Sequence, residues 1–338
     1  MTGDPALTTD ARPASEAELA LVFEAQRPRL LRLAYATTGS LAEAEDCVQE
    51  AWLRLDRAAD RETIRDLGAW LTTTVSRLAL DSLGSARARR ERYAGPWLPE
   101  PVIESLGAGG AGVADLGAGS AGGPGTDPAD RVTLDESVSM ALLVVLETLS
   151  PAERTAFVLH DVFGLPFDEI SGVVGRSAPA VRQLASRARR HVRDGRPRVQ
   201  PSRAEQAELL DAFVRASTAG DMERLMALLD PDVTWRADGG GKVRAAPRLV
   251  HGAAAIGRLL AGFARRPPLR LRTVLVNGSP GLVIRDADGV LGVVALTVGG
   301  GRITAIDVIR DPDKLTAAAI LLDEAPAEPL GRAGWRGR

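Results

Sequence analysis

The hydrophobic positions of this chain fall into three blocks with different periods. Two blocks, residues 16–93 and 134–192, repeat apolar residues every three or four positions, as amphipathic helices do. The third block begins near residue 203 with two more helical patterns and then alternates apolar and polar residues, which predicts strands at 269–276, 281–285, 290–298 and 302–309. Asn277-Gly278 and Asp288-Gly289 predict hairpin turns between these strands. The pattern therefore predicts two all-helical units followed by an α+β unit.

The boundaries of the units follow from changes in composition. Residues 106–126 are almost wholly Gly, Ala, Ser and Pro, which cannot bury enough apolar surface to offset the entropy of ordering, so we expect a flexible tether there. The expected division is a disordered tail 1–15, a helical domain 16–95, a flexible linker 96–130, a second helical domain 131–196, an α+β domain 203–316 and a C-terminal tail 317–338.

Capping residues mark the starts of two helices. Ser40 and Glu43 have the spacing of a capping box, and Ser150 and Glu153 repeat it with a proline at the first helical position. A turn at Gly164, a short helix 167–174, a stop at Gly175 and a long helix 180–193 follow. This order is that of a helix-turn-helix, in which the last helix enters the major groove of DNA.

Positive charge is concentrated on that last helix and the residues that flank it. The whole chain of 338 residues has a net charge of −2, yet residues 176–198 carry eight arginines against Asp194. Ala180, Gln183, Arg187 and Arg190 share the exposed face, which is flanked by Arg182, Ser186, Arg189 and Arg193, and Ser177 caps the helix. We predict that Gln183 and Arg187 reach base edges and that Arg176, Arg182 and Arg190 bind phosphates.

Other compositional features exclude several classes of protein. No apolar run approaches the ~20 residues that span a bilayer, so we expect a cytoplasmic protein without a membrane contact. Cys47 lies in a helical pattern and is expected to be a small buried hydrophobe, and the three histidines lack metal-ligand spacing. We therefore expect no metal and no cofactor.

The two helical blocks resemble domains 2 and 4 of sigma-70 family transcription factors of the extracytoplasmic-function (ECF) type. The first resemblance is carried by Ala44-Glu-Asp-Cys-Val-Gln-Glu-Ala-Trp-Leu-Arg54, and the second by residues 146–159 together with the helix-turn-helix. It implies two all-α sigma domains, domain 2 and domain 4, without a domain 3 between them. The partners that it implies are core RNA polymerase, through the clamp coiled coil of the largest subunit and the flap, and promoter DNA.

The resemblance also assigns roles to residues. Contacts with core polymerase are implied for Asp46, Gln49, Glu50 and Arg54. Contacts with the −10 element are implied for Arg77, Asp81, Arg87, Arg89 and Arg90, and contacts with the −35 element for Arg176, Ser177, Ala180, Arg182, Gln183, Ser186, Arg187 and Arg190. Gly84 departs from the family pattern, which has arginine there, and we expect a break in the helix before Ser85.

The third block resembles the SnoaL-like members of the nuclear-transport-factor-2-like superfamily, an α+β cone around a pocket. Asp232, Trp235 and His251 are candidates to line that pocket, and a small ligand there is a candidate signal. Because the sequence shows no positioned acid–base pair, we expect no enzymatic activity.

Three short motifs stand out, Trp97-Leu-Pro-Glu-Pro101 in the linker, Asp238-Gly-Gly-Gly-Lys242 in a loop and Asp311-Pro-Asp-Lys-Leu315 at the end of the last strand. They resemble the signature of the ECF subgroup with this extension, in which the extension contacts the interdomain linker and modulates activity. Trp97 and Leu98 form an apolar peptide between prolines, which suits an anchor in a pocket. The predicted regulatory residues are Trp97, Leu98, Pro99, Glu100, Pro101, Asp238, Lys242, Asp311, Pro312, Asp313, Lys314 and Leu315.

Two other functions remain open from the sequence. A one-component regulator with a helix-turn-helix and a sensor domain would bind an operator without joining polymerase. An enzyme with a helical scaffold would lose turnover on substitution of Asp232 or His251.

Overall fold

The computed structural model describes residues 16–58, 64–90, 93, 95–104, 138–195, 201–263, 269–285 and 289–316. The predicted tails, the glycine-rich tether 106–126 and Asp288 of the second predicted hairpin turn lie outside the described residues.

The first helical unit consists of three helices, α1 (Glu16–Thr38), α2 (Leu41–Arg57) and α3 (Leu67–Arg90). Helix α2 buries Ala44, Cys47, Val48, Ala51 and Leu55, the apolar stripe that its sequence spacing predicts. The expected break before Ser85 is wrong, because α3 continues through Gly84 to Arg90. Glycine lowers helix stability without ending a helix, and nothing lies within 4 Å of the position that a Cβ of Gly84 would take.

The second helical unit consists of α4 (Met140–Leu146), α5 (Pro151–Phe157), α6 (Phe167–Val174) and α7 (Ala178–Gly195). Ser150 and Glu153 form the predicted capping box at the start of α5. The end of α5 widens into a π-helical turn, Val158–Val162. Gly175 ends α6 in the left-handed conformation, with φ of 68°, as a C-terminal glycine cap does.

The two helical units share one continuous apolar core. It contains Leu30, Leu33 and Leu71 from the first unit and Leu146, Leu159 and Ile170 from the second, each buried at 0% exposure. The two units are therefore packed against each other and not merely strung together.

The C-terminal unit wraps three helices against one face of a sheet. The helices are α8 (Arg203–Ala219), α9 (Met222–Leu228) and α10 (Ala253–Phe263). The strands are β2 (Leu229–Asp238), β3 (Val250–His251), β4 (Arg270–Val276), β5 (Ser279–Arg285), β6 (Val290–Gly299) and β7 (Arg302–Ile309), followed by a 3₁₀ turn, Pro312–Leu315. A further strand, β1 (Ile103–Glu104), comes from the linker.

The sheet has the order β1-β4-β5-β6-β7-β2-β3. Strands β4 to β7 form the predicted antiparallel meander, and β2 pairs with β7 in parallel. The predicted hairpin turn between β4 and β5 is present, since Asn277 and Gly278 both have positive φ, 49° and 71°.

The two faces of this sheet pack against different parts of the chain. One face carries Val233, Trp235, Ile303 and Ile306 and packs on helix residues such as Leu210. The other face carries Val274, Val276, Val283, Val293 and Ile309, and it is covered by Leu98 and Ile103 of the linker, Met140 and Val144 of α4, and Leu315. The apolar cluster on this other face joins the C-terminal unit to the linker and to α4.

We predict that Leu210→Ala lowers the stability of the C-terminal unit by about 2–5 kcal/mol, because it leaves a cavity in the core beneath the sheet. Leu210 is 0% exposed, whereas the control residue Leu249 is 42% exposed. Chemical denaturation followed by hydrogen exchange of the strands measures the difference. Equal effects of Leu210→Ala and Leu249→Ala would contradict this account of the core.

Candidate functional site

The linker segment Trp97–Pro101 runs as an extended peptide between the first helical unit and the C-terminal sheet. Leu98 is 1% exposed, and Pro99 and Pro101 are buried. Beyond the prolines, Ile103 pairs with Val276 at the edge of the sheet. This part of the linker is thus an ordered component of the interior.

A buried carboxylate, that of Asp238 at the end of β2, holds this peptide. Its Oδ2 atom accepts the backbone N–H of Leu98 at 2.8 Å and the ammonium of Lys314 at 2.7 Å. Its Oδ1 atom accepts the backbone N–H of Gly240 at 3.0 Å and the hydroxyl of Tyr93. A carboxylate at 0% exposure needs this many donors to offset its lost hydration.

Lys314 binds the same linker residue, Leu98. Its ammonium donates to the carbonyl oxygen of Leu98 at 2.6 Å and lies 4.1 Å from the ring centre of Trp97. The ammonium is also 5.7 Å from the ring centre of Tyr93. Both backbone polar groups of Leu98 are therefore bound by one ion pair of the C-terminal unit, with an aromatic ring against the cation.

Close packing requires a glycine at position 240, in the loop after β2. Gly240 has φ of +68°, and a Cβ there would lie 2.4 Å from the carboxylate of Asp311. Asp311 in turn accepts the N–H of Asp313 at 3.2 Å and so begins the 3₁₀ turn that positions Lys314. The two C-terminal motifs fold as one unit around the Asp238–Lys314 pair.

The protonation of Tyr93 favours the same arrangement. Burial raises the pKa of the Tyr93 hydroxyl most, and the hydrogen bond to the Asp238 carboxylate raises this pKa further. Tyr93 therefore stays a hydrogen-bond donor at neutral pH.

Glu100 binds the other side of the linker to the first helical unit. Its carboxylate accepts the N–H of Leu41 at 2.8 Å and the hydroxyl of Ser40 at 3.3 Å, and its backbone N–H donates to Gly39 at 2.9 Å. Burial raises the pKa of Glu100. The glutamate of the linker thus caps the start of α2.

This contact corrects the predicted capping box at Ser40. Ser40 does accept the N–H of Glu43, but the Glu43 carboxylate accepts the hydroxyl of Ser82 at 3.0 Å instead of closing the box. The Ser40 N–H donates instead to Thr38 Oγ1 at 3.3 Å. Glu100, 60 residues away in sequence, accepts the Ser40 hydroxyl, a contact that local spacing could not reveal.

Comparison with known proteins assigns each unit to a family. Residues 22–89 match sigma-70 region 2, residues 139–192 match sigma-70 region 4, and residues 210–316 match the SnoaL-like domain. The chain is 42% identical over 323 residues to the ECF RNA polymerase sigma factor SigJ of Mycobacterium tuberculosis, covering 92% of this chain and 96% of SigJ. The chain belongs to the ECF sigma factors. It is also 37% identical to a probable ECF sigma factor, SigI, of the same species, over 87% of this chain and 93% of SigI.

The fold of this ECF sigma factor has a solved counterpart. The crystal structure of SigJ from Mycobacterium tuberculosis superposes with a TM-score of 0.66 at 37% identity, over 88% of this chain and 98% of that chain. The predicted fold class, two helical sigma domains and a SnoaL-like α+β domain, is confirmed. Below, σ2 denotes the first helical unit and σ4 the second.

The σ4 helix α7 presents the predicted −35 residues outward. Its core positions Val181, Leu184, Ala188 and Val192 are buried as predicted. The exposed set is Arg176, Ser177, Arg182, Gln183, Ser186, Arg187 and Arg190, with Ala180 half-buried. Arg182 lies 5.1 Å from the ring centre of Phe167, and Arg187 is 4.0 Å from the carboxylate of Glu153. Their contacts with DNA stay predictions.

The σ2 residues that are predicted to meet polymerase lie on the exposed side of α2. Asp46 and Gln49 are exposed, and Arg54 pairs with the half-buried Glu50 at 2.9 Å. Among the predicted −10 residues, Arg77 and Asp81 are exposed on α3, while the side chains of Arg87, Arg89 and Arg90 lie outside the described part of the structure. The structure does not test these roles.

The structure brings Trp97, Leu98, Asp238, Asp311, Lys314 and Leu315 together, but it separates others from them. Lys242 pairs with Asp313 at the surface, with both side chains more than half exposed. The candidate pocket residues Asp232 and His251 are both exposed, so they do not line the apolar interior with Trp235. The expectation that Asp232 and His251 line the pocket with Trp235 is corrected.

The sequence reasoning missed three residues of this site. Tyr93 binds Asp238, Asn277 donates to the Tyr35 hydroxyl at 2.7 Å, and Tyr35 donates to the carbonyl oxygen of Glu100 at 2.6 Å. The available signal was the composition, because the chain has only two tyrosines and both lie against the linker motif.

No helix among the described residues is long and apolar enough to cross a membrane. Over the same ranges, His, Cys, Asp and Glu side chains form no group of three or more that could hold a metal ion.

We predict that Asp238→Asn weakens the hold on the linker by about 1–2 kcal/mol, because a neutral amide accepts the Leu98 N–H and the Tyr93 hydroxyl less strongly than a carboxylate does. Protection of the Leu98 amide against hydrogen exchange measures this loss. The matched control is Asp313→Asn, which removes an acidic partner that is 70% exposed. An unchanged Leu98 amide in Asp238→Asn would contradict the assignment of the grip to this ion pair.

Proposed function

We propose that this sigma factor directs core RNA polymerase to promoters with −10 and −35 elements, and that its SnoaL-like domain modulates that activity in cis through the interdomain linker. The observation that carries the proposal is the Asp238–Lys314 pair bound to both backbone groups of Leu98. A domain with no contact to the linker could affect polymerase only through a separate partner.

Promoter geometry supports a role for release of this contact. Promoter elements about 17 base pairs apart are separated by ~60 Å along the duplex at ~3.4 Å per base pair. In the closed arrangement σ2 and σ4 share one apolar core, so they are too close to occupy both elements at once. Binding to a promoter therefore requires the two domains to separate.

Charge and exposure support the assignment of partners. The acidic and amide residues Asp46 and Gln49 are exposed on α2, as an interface with a basic partner needs. The arginines of α7 form an exposed positive face suited to DNA phosphates. The domain boundaries 16–95, 96–130, 131–196 and 203–316 belong to the same proposal.

The acidic face of α2 also favours this proposal over an operator-binding regulator. A regulator that binds DNA alone needs an accessible recognition helix and no acidic face for polymerase. Here both faces are present in one chain, on α2 and α7.

We expect Lys314→Met to raise transcription at subsaturating protein by roughly 5- to 30-fold, the change that one or two kcal/mol makes in an equilibrium. The measurement is reconstituted transcription with core polymerase and a −10/−35 promoter. The control is Lys242→Met, which removes the other lysine of the chain from an exposed pair. Trp97→Ala leaves the C-terminal domain unchanged and should act in the same direction. If both variants match Lys242→Met, cis modulation is excluded, and if no protein joins core polymerase, the sigma function is excluded.

A further inference from the structure

Two arginine side chains form hydrogen bonds between σ2 and σ4, and neither bond involves the C-terminal domain. Arg77 of α3 donates its Nε and Nη2 atoms to the carbonyl oxygen of Gly172, at 3.3 and 3.0 Å. Arg154 of α5 donates its Nη2 atom to the carbonyl oxygen of Ala36 at 3.4 Å. Each domain therefore contributes one arginine and one acceptor.

Both acceptors occupy the same kind of position. Gly172 lies in the last turn of α6, and Ala36 lies in the last turn of α1. The last four carbonyl groups of a helix have no partner within the helix, and the helix dipole makes that end negative. A guanidinium placed there satisfies an orphan carbonyl and complements the dipole, so the two contacts are physically equivalent and point in opposite directions between the domains.

The surroundings of the two arginines differ. Arg154 is 1% exposed and pairs with Glu147, so it is part of the permanent interior of the closed form. Arg77 is exposed on α3, and among the described residues its guanidinium binds the carbonyl oxygen of Gly172 and no carboxylate. A guanidinium that binds this oxygen through two nitrogens cannot bind a phosphate with the same donors.

We infer that σ4 itself blocks the DNA-binding face of σ2, with the end of helix α6 standing in for a phosphate at Arg77. The closed form then has two separate latches, the C-terminal domain on the linker and σ4 on α3. This inference rests on the proposed function, because it needs Arg77 to face promoter DNA after opening. It adds that release of the linker alone leaves part of the inhibition in place.

The shared core supports the separateness of the second latch. The cluster that joins σ2 to σ4 contains residues from 23–79 and from 138–192 and none of the buried residues of the C-terminal domain. Helix α3 packs directly on α5 and α6. The σ2–σ4 contact can therefore persist after the C-terminal domain has let go of Leu98.

Gly172 provides a test that leaves both arginines intact. It is exposed, its φ is not positive, and a Cβ there would meet only the Arg77 Nη2 atom, at 3.8 Å. Gly172→Asp adds a carboxylate beside the guanidinium, Gly172→Lys adds a repelling charge, and Gly172→Asn matches the aspartate in shape without charge. The Gly172→Asp and Gly172→Asn variants differ in charge alone, so that pair isolates the effect of charge, and Gly172→Lys tests the opposite sign.

The experiment measures the distance between labels on Arg57→Cys in σ2 and Asp194→Cys in σ4 of the full chain, in the Lys314→Met background. Burial raises the pKa of Cys47 to about 12, so the native thiol does not compete for the label. Relative to Gly172→Asn, we expect Gly172→Asp to lower the open fraction and Gly172→Lys to raise it, each by about two- to fivefold, as exposed charge pairs do.

Promoter binding with core polymerase should change in the same order as the open fraction. Equal open fractions for the three Gly172 variants would overturn the second latch while leaving the proposed function intact. A response to Gly172 charge without a response to Lys314→Met would instead support the σ4 latch and remove the C-terminal one. If Gly172→Lys opens the domains and promoter binding does not rise, Arg77 is not the blocked contact and the inference fails.

Discussion

The buried carboxylate of Asp238 is the group on which the contact between the C-terminal domain and the linker depends. Its four donors come from its own loop, the 3₁₀ turn and the linker. Two of them, the Gly240 N–H and Lys314, belong to the C-terminal domain itself. When the linker leaves, the charge keeps its counter-ion, and only the donors of Leu98 and Tyr93 are exchanged for water. The closed form can therefore be held firmly without making opening prohibitively unfavourable.

The linker is held from two sides by different chemistry. The C-terminal domain holds Leu98 through an ion pair, whereas σ2 holds Glu100 through the hydroxyl and amide at the start of α2. Tyr35 and Asn277 connect the two sides through one buried hydrogen-bond chain. The linker around Leu98 and Glu100 thus contacts the C-terminal domain and σ2 at the same time.

The sequence predicted most of the fold because its signals are local. Capping at Ser150, the stop at Gly175 and the apolar spacing of α7 all act within a few residues, and each is present in the structure. The meander was equally predictable from strand alternation and from the Asn277-Gly278 turn. The parallel pairing of β2 with β7 was not, since it joins strands more than sixty residues apart.

Sequence motifs predicted some residues of the site, but they did not predict its geometry. The three motifs identified Asp238, Lys314 and Leu98, but Tyr93 carries no motif, and Asn277 reads as a turn residue although its side chain reaches Tyr35, 242 residues away. Gly84 shows the opposite error, since this exposed glycine lowers the stability of α3 without ending the helix, which continues to Arg90.

The short strand β1 has a consequence for the lifetime of the open form. Its two residues shield the end of strand β4, next to the apolar face formed by Val274 and Val276. Without the linker, the edge of β4 has unpaired backbone N–H and C=O groups beside an apolar surface. Exposed edges of this kind pair with other sheets edge to edge and lead to aggregation. An open molecule would therefore carry a sheet edge through which two copies of the chain can pair.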